Sequence, residues 1–181
     1  MTVPEMLKKW ELGLIPKDSK VVLLNPQPSI KALFDSAKTL RLEPVAKDER
    51  GESWRILFPD NREALLIFTK AGYYRGGHSH SRPETSLILQ GKVRSWKISW
   101  KIPKNAFIPG YQFNVTPDGI EIIREFSAGE IMHNEAGEPH VTLALTDYWL
   151  FDFKIDTKIG EWTNTDYPPY RKLVDEQLRE K

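Results

Sequence analysis

Short strand-like runs separated by turn residues make up the middle of this chain, and they restrict its fold more than any other feature. Between about residues 53 and 156, apolar runs of strand length stop at proline or glycine, for example at Pro59 and Pro109. Residues 94–102 alternate between apolar and polar side chains, which is the period of a strand with one buried face. Many short strands broken by such turns predict an all-β sandwich or barrel. The apolar face of segment 94–102 consists of Trp96, Ile98, Trp100 and Ile102.

The chain has four histidines, and two of them lie two positions apart in one predicted strand. Side chains at i and i+2 share a strand face, so the rings of His78 and His80 can point at the same ion. Pro83 interrupts the strand, because proline cannot donate to a central ladder and restricts the residue before it. Glu84 begins the next predicted strand, and a hairpin-like return would bring its carboxylate beside the two rings.

A third histidine begins another predicted strand further along the chain. Thr142 and Ala144 share the strand face of His140, and the larger Val141 and Leu143 take the other face. Small side chains beside a histidine favour a pocket wall, and the opposite face favours packing. Imidazole nitrogen and carboxylate oxygen are ordinary ligands of divalent first-row metals. The two runs together therefore predict a metal site.

The first of these runs resembles the first motif of the cupin superfamily. It matches that motif position by position: Gly72, five residues, His78-x-His80, three residues, Glu84, six residues and Gly91. In metal-binding cupins the two histidines and the glutamate of this motif bind the ion. The resemblance therefore implies that His78, His80 and Glu84 are metal ligands.

The second cupin motif is matched in part. Gly129, five residues, Glu135-Ala-Gly137, two residues and His140 follow its spacing. The family usually has proline in place of Glu135 and asparagine in place of Ala144, so the departures concern a turn and a flanking position rather than the ligand. The resemblance implies that His140 is the fourth ligand. For the remaining histidine, His133, a loop position is expected, with a place beside the ligands or at the pocket mouth as alternatives.

The cupin resemblance and the strand pattern predict the same fold, an all-β, cupin-type jelly-roll β-barrel with an N-terminal helical extension and a C-terminal helix. We expect a partly helical extension at residues 1–45, the barrel at 46–160 and a helical tail at 161–181. The tail has an apolar stripe at helical spacing, which is expected to dock on the barrel or on a partner subunit. The stripe consists of Tyr170, Leu173, Val174 and Leu178.

Three further residues are candidates for substrate binding. Arg75 precedes the first histidine, and its guanidinium suits a carboxylate or phosphate; a solvated strand charge is the alternative. Gln90 ends the Glu84 strand on the same face as Glu84, which makes it a candidate for the pocket wall. Tyr73 can stack on a sugar or an aromatic ring, although aromatic side chains on strands more often pack in a core or an interface.

Composition excludes several classes of function. The chain has 26 basic and 25 acidic residues, a net charge of +1 and no basic run, which argues against nucleic acid as a partner. It has no cysteine, so disulfides and thiolate ligands are excluded. Its longest apolar runs have the length of strands, and its first residues do not resemble a signal peptide. We therefore expect a cytoplasmic protein without a membrane partner.

A metal-dependent enzyme acting on a small molecule is the leading hypothesis. One divalent ion (Fe, Mn, Ni, Cu, Co or Zn) would be the cofactor, and Glu84 would also be the catalytic carboxylate. Because cupin dioxygenases use three histidines and one glutamate, a non-haem dioxygenase or related oxidoreductase is the first choice. A sugar or sugar-acid isomerase, epimerase or lyase and a non-catalytic metal- or ligand-binding cupin are the alternatives. Cupins commonly dimerise, so a homodimer is among the expected assemblies.

Overall fold

The structure, a computed structural model, describes residues 41–57, 62–101, 110–158 and 162–179. Within these ranges the chain forms twelve strands in two six-stranded antiparallel sheets, followed by one helix. This confirms the predicted all-β architecture with a C-terminal helix. The predicted helical signals before residue 41 lie outside the described residues. Among the helices of the described ranges, none combines the length and the apolar content needed to cross a bilayer.

The first sheet, called sheet A, has the strand order β1-β2-β3-β11-β5-β9. The strand β11 lies between β3 and β5, so a late strand joins two early ones. The strands of sheet A are β1 (Arg41–Asp48), β2 (Gly51–Leu57), β3 (Arg62–Thr69), β5 (Glu84–Gln90), β9 (Ile131–Asn134) and β11 (Tyr148–Lys158).

The second sheet, called sheet B, has the strand order β12-β4-β10-β6-β8-β7. Its strands β4 and β10 are neighbours, which brings the two histidine runs side by side. The strands of sheet B are β4 (Tyr74–His80), β6 (Lys92–Ser99), β7 (Tyr111–Thr116), β8 (Gly119–Ser127), β10 (His140–Ala144) and β12 (Asn164–Asp166), and the helix that follows is α1 (Pro168–Arg179).

The two sheets enclose an apolar interior to which both contribute. Ile88 from sheet A and Val93 from sheet B are fully buried in one cluster, as is the aromatic ring of Tyr148. Burying such side chains is the main favourable term in folding, at roughly 25 cal/mol per Å² of apolar surface. The remaining members of this cluster are Phe126, Met132, Ala144 and Leu150.

The outer face of sheet B is covered by α1. Tyr170 and Val174 of the helix pack against Ile98 and Val141 of the sheet, and all four are buried. The predicted division of the His140 strand into a packing face and a pocket face therefore matches the structure. The predicted helical stripe docks only in part, because Leu173 is 39% exposed. In the alternating segment 94–102, Trp96 packs on this cluster, whereas Trp100 is 65% exposed beyond the end of β6 and Ile102 lies outside the described residues.

A β-bulge interrupts β4 just before the two histidines. His140 lies opposite His78, but Val141 lies opposite Gly76, so β4 has one residue more than β10 at this point. Gly76 and Gly77 have φ angles of +91° and +87°, in the left-handed region that glycine adopts without steric cost. A Cβ atom on Gly77 would lie 2.9 Å from the Cα of Arg171 in α1.

The bulge determines which side chains of β4 face the interior. Thr142 lies opposite Arg75, and His140 lies opposite His78. Since Thr142 and His140 share a face of β10, Arg75 and His78 share the interior face of β4 although they are three positions apart.

Two boundaries differ from the predicted organisation. The first strand begins at Arg41, within the range expected for the N-terminal extension. The range 161–181 begins with the short strand β12 rather than with a helix. A three-residue strand carries too little alternation to be read from sequence, and pairing with β4 holds it in place.

Candidate metal centre

Three imidazole rings lie together at the interior face of sheet B. His78 and His80 come from β4 and His140 from the neighbouring β10. One ring nitrogen from each histidine lies within 4.8 Å of those from the other two. The ring centroids are 4.7 to 5.5 Å apart. His80 and His140 are buried and His78 is half-buried, so the cluster lies inside the barrel rather than on its surface.

The carboxylate of Glu84 faces this cluster from sheet A. Its Oε1 atom lies 3.0 Å from His80 Nε2, and its Oε2 atom lies 3.2 Å from His140 Nε2. The side-chain amide of Asn134, directly across from Glu84 on β9, donates a hydrogen bond of 2.9 Å to Oε2. The structure thus brings together the four side chains that the sequence named as ligands.

Two ring nitrogens of the cluster lie beside the carboxylate of Glu84. The Nε2 atom of His80 is buried and makes no hydrogen bond, although Glu84 Oε1 is close. The Nδ1 atom of His140 lies 3.1 Å from the backbone carbonyl of Glu138, which can only accept, so Nδ1 carries a hydrogen and Nε2 faces Glu84 Oε2 at 3.2 Å. A buried polar atom without a partner is costly, so a cation among these atoms would remove a penalty. The donor set of three imidazoles and one carboxylate fits a divalent first-row metal.

Burial and neighbouring charges shift the pKa values of three side chains in the cluster. Burial, and then the neighbouring charges of His140 and His80, lower the pKa of His78 to about 4, so this ring is neutral at pH 7. Burial acts to raise the pKa of Glu84, but the two neighbouring histidines outweigh it and hold the pKa well below its usual value. For His140, burial acts to lower the pKa, whereas the charge and hydrogen bond of Glu84 raise it.

The loop before β10 is held by an ion pair. Lys97 Nζ donates to Glu138 Oε2 at 2.7 Å and to the backbone carbonyl of His133 at 3.0 Å. The same carboxylate oxygen accepts from the backbone N–H of Glu135 at 3.0 Å. The backbone carbonyl of Glu138 accepts a hydrogen bond from His140 Nδ1. The bonds of Lys97 and Glu135 therefore hold in place the carbonyl that orients the His140 ring.

Comparison of folds relates this arrangement to known structures. A deletion variant of oxalate decarboxylase from Bacillus subtilis aligns at a TM-score of 0.53 and 14% identity, covering 76% of this chain and 33% of that enzyme. A point variant of the same enzyme aligns at 0.51 and 15% identity, covering 69% and 30%. This chain has the cupin fold.

A further similar structure is that of the capsular polysaccharide assembling protein CapF from Staphylococcus aureus. It aligns with this chain at a TM-score of 0.47 and 21% identity, covering 66% of this chain and 30% of CapF. This chain thus spans about a third of the length of the structures it resembles. No protein-family model matches the sequence, and no curated protein is significantly similar to it.

Arg75 lies inside this cupin barrel but contacts sheet A. Its Nε atom donates to Thr69 Oγ1 at 3.2 Å, and its Nη2 atom donates to the carbonyl oxygen of Phe68 at 3.3 Å. Nη2 also lies 3.7 Å from a carboxylate oxygen of Asp48. The guanidinium therefore faces the hairpin between β1 and β2, while its residue shares a strand face with His78.

The other predicted residues differ in burial and in position. Tyr73 is buried just before β4, and Gln90 is exposed at the end of β5. His133 is exposed and lies in β9, so the loop position expected for it is wrong. Its Nδ1 atom is 2.9 Å from the hydroxyl of Thr85 on the neighbouring strand, and it is not part of the histidine cluster.

The sequence analysis missed four residues that contact the ligand set or fix its orientation: Asn134, Glu138, Trp162 and Asn164. Asn134 and Glu138 reach the site through strand pairing and loop geometry, for which the sequence carries no local signal. Trp162 and Asn164 are spaced two apart in the predicted helical tail. Trp162 Nε1 donates to His80 Nδ1 at 2.7 Å, and Asn164 Oδ1 lies 2.7 Å from the same nitrogen. These contacts depend on the pairing of β12 with β4, for which the sequence carries no local signal.

Proposed function

We propose that this cupin binds one divalent transition-metal ion through His78, His80, Glu84 and His140 and converts a small molecule there. The buried Nε2 atom of His80, which has no hydrogen bond and faces the other three side chains, carries the proposal. When bound, the ion would supply Lewis-acid or redox chemistry to a substrate that coordinates it.

The protein's own residues would supply orientation, exclusion of water and a proton acceptor. The imidazoles of His80 and His140 are buried within a barrel whose interior also holds an apolar cluster. Glu84 has two oxygens that face different histidines, so one oxygen can accept a proton from a substrate while the other stays near the rings. Its low pKa keeps the carboxylate ionised at neutral pH.

The reaction class we propose is that of a non-haem dioxygenase or related oxidoreductase. Three histidines and one glutamate leave one or two positions open on an ion that prefers five or six ligands, where water, dioxygen or a chelating substrate can bind. A sugar-acid isomerase or lyase is the second candidate. It is favoured by Arg75, a cationic residue on the same strand face as His78, which suits an anionic substrate.

Elemental analysis of untagged protein, purified without added metal or chelator, tests the proposal. Near-stoichiometric iron, copper, manganese or nickel, followed by substrate-dependent oxygen uptake, would support the oxidoreductase. Stoichiometric zinc and turnover of a sugar acid without oxygen uptake would support the second candidate. Protein that holds no metal and takes up none on titration would refute the proposed function. The homodimer and the cytoplasmic location stay predictions from the sequence.

A further inference from the structure

We infer that a groove on the outer face of sheet B binds a small organic cation, an ammonium ion that carries an apolar body. The groove has a volume of about 670 Å³, which is within the size range of small-molecule sites in proteins. It is separate from the proposed metal centre, because the clustered histidines lie on the other face of the sheet.

The residues that line the groove show which face of sheet B it occupies. Ser79 lies between the two histidines of β4, so its side chain takes the opposite face of that strand. Ile98 also lines the groove and belongs to the apolar cluster under α1 on the outer face. Pro139, the residue directly before His140, is a further lining residue and is buried. The groove is therefore not a continuation of the barrel interior.

An exposed tryptophan forms part of the groove wall. Trp100 follows the end of β6 and is 65% exposed, and Val115 near the end of β7 is 93% exposed. Both side chains line the same concave surface, where exposed apolar groups favour contact with a ligand over contact with water. The face of an indole ring attracts a cation more strongly than other aromatic side chains do. Trp100 thus offers a contact for a positive charge as well as for an apolar body.

Two carboxylates give the groove its charge. Asp118 lies in the turn between β7 and β8, and Asp166 ends β12. The hydroxyl of Tyr167 donates to Asp118 Oδ2 at 2.5 Å, which holds this carboxylate in place. Within the described ranges, the side chain of Asp166 has no hydrogen bond or ion pair. None of the described residues that line the groove is basic, so its field favours a cation.

The combination of an indole, apolar side chains and two carboxylates selects one class of ligand. An anion would be repelled by Asp118 and Asp166. A bare divalent cation needs several oxygen ligands around it and would gain nothing from the apolar wall. An ammonium ion with methyl groups or an aromatic ring can place its charge near the carboxylates and the indole, and its apolar part against Ile98 and Val115.

Matched pairs of charged and neutral probes test the site in the full-length protein. Choline is compared with its uncharged analogue, in which a carbon atom replaces the nitrogen, and benzylammonium is compared with benzyl alcohol. In NMR spectra of ¹⁵N-labelled protein, both cations should shift the backbone signals of Gly119 and Thr165 and the indole signal of Trp100, which line the groove. Each neutral probe should bind more weakly than its cation, and added salt should weaken the cations.

Substitutions of two lining residues test the role of each group. Asp166→Asn removes one charge, and Trp100→Leu keeps an apolar side chain but removes the indole face. Each variant should bind choline about 2- to 5-fold more weakly than wild type. The matched control is Asp175→Asn, which also removes one carboxylate but in α1, where Asp175 pairs with Arg171 outside the groove. The control should bind choline as wild type does.

Three outcomes would overturn this assignment. Neutral probes that bind as tightly as the cations would show that the groove selects no charge. Lining residues whose signals stay unshifted by both cations at millimolar concentration would show that the groove is not a cation site. Equal weakening by Asp175→Asn would show that only the overall charge of the protein matters. None of these results depends on metal, so the proposed function stands or fails separately.

Discussion

The buried Nε2 atom of His80 is the most informative atom at the scale of single residues. It is buried without a hydrogen bond, and a buried polar atom without a partner typically costs about 1–3 kcal/mol. A bound cation would remove this cost and would bind the folded state in preference to the unfolded chain. Metal binding should therefore appear as increased stability as well as metal content.

Zn²⁺ at about 100 times its dissociation constant should raise the free energy of unfolding of wild-type protein by about 2.7 kcal/mol. His140→Ala removes one of the three clustered imidazoles, so this variant should fold but gain little from added zinc. His133→Ala is the matched control, since His133 is exposed and outside the cluster, and it should gain as much as wild type. Thermal unfolding with and without zinc measures the difference. A full zinc response in His140→Ala would show that the ligand set is assigned wrongly.

The sequence predicted which residues lie together at the site better than it predicted their neighbours. His78, His80 and Glu84 follow from local spacing and strand alternation, and His140 follows from the second motif. Asn134 and Asn164 depend on which strand pairs with which, and this is decided by contacts between distant parts of the chain. The interior position of Arg75 depended on a bulge, since a regular strand would have placed Arg75 and His78 on opposite faces.

At the scale of elements, the bulge in β4 and the helix α1 depend on each other. Gly77 lies where the strand passes under the helix, and a Cβ there would meet the backbone of Arg171. The same bulge sets the face of Arg75 relative to His78. The packing of α1 on sheet B and the geometry of the candidate site therefore share one backbone feature.

Substitution of Gly77 in the bulge should lower the free energy of unfolding more than substitution of Gly72, which has a similar positive φ angle. Gly72 has a φ of +81° and no atom within 4 Å of a built Cβ, so Gly72→Ala should cost only the backbone term, about 1–2 kcal/mol. Gly77 has a φ of +87°, and the Cβ of Gly77→Ala would also lie 2.9 Å from Arg171 Cα. This variant should therefore lose more stability than Gly72→Ala and should bind metal more weakly. Urea unfolding of both variants measures this. Equal losses of stability would mean that the approach of the helix does not constrain the strand.

At the scale of the whole molecule, hydrogen bonds between tyrosines and carboxylates tie the C-terminal segment to sheet B. Tyr167 donates to Asp118 at 2.5 Å, and Tyr170 donates to Glu121 at 2.9 Å. Burial, the hydrogen bond to Asp118 and the nearby negative charges raise the pKa of Tyr167 to about 12. Burial and Glu121 also raise the pKa of Tyr170 above its usual value.

These raised pKa values predict how stability depends on alkaline pH. The folded state holds both phenolic protons more tightly than the unfolded chain, whose tyrosines titrate near pH 10. The stabilisation is therefore fully present below pH 10 and is lost as the pH rises from 10 through about 12. The double variant Tyr167→Phe/Tyr170→Phe should lose less stability over this range than wild type, as measured by urea unfolding.

The matched control for the alkaline series is Tyr111→Phe. The hydroxyl of Tyr111 accepts a hydrogen bond from Arg124 instead of donating to a carboxylate. This variant should follow the wild-type dependence on pH. A double variant that also followed wild type would show that the two phenols do not hold the C-terminal segment through their protons.

The strand order of the whole molecule was the part of the fold that the sequence could not supply. In the sequence, the alternation of apolar and polar residues and the turn residues predicted most strands, and the two motifs indicated the cupin barrel. The insertion of β11 between β3 and β5 and the pairing of β12 with β4 join segments far apart in the chain. Such pairings are selected by the fit of complete sheets rather than by any local pattern.

The position of β12 has a consequence for the order of events during synthesis. His80 and Asn164 are 84 positions apart, and closing so long a loop is among the slower steps of folding. Because β4 is synthesised before β10 and β12, a nascent chain contains His78, His80 and Glu84 first. His140 is added later, and Asn164 is added last. A growing chain therefore contains all four candidate ligands before Asn164 can reach His80. The edge of sheet B beside β4 closes only when β12 joins it, which makes this pairing a late event in folding.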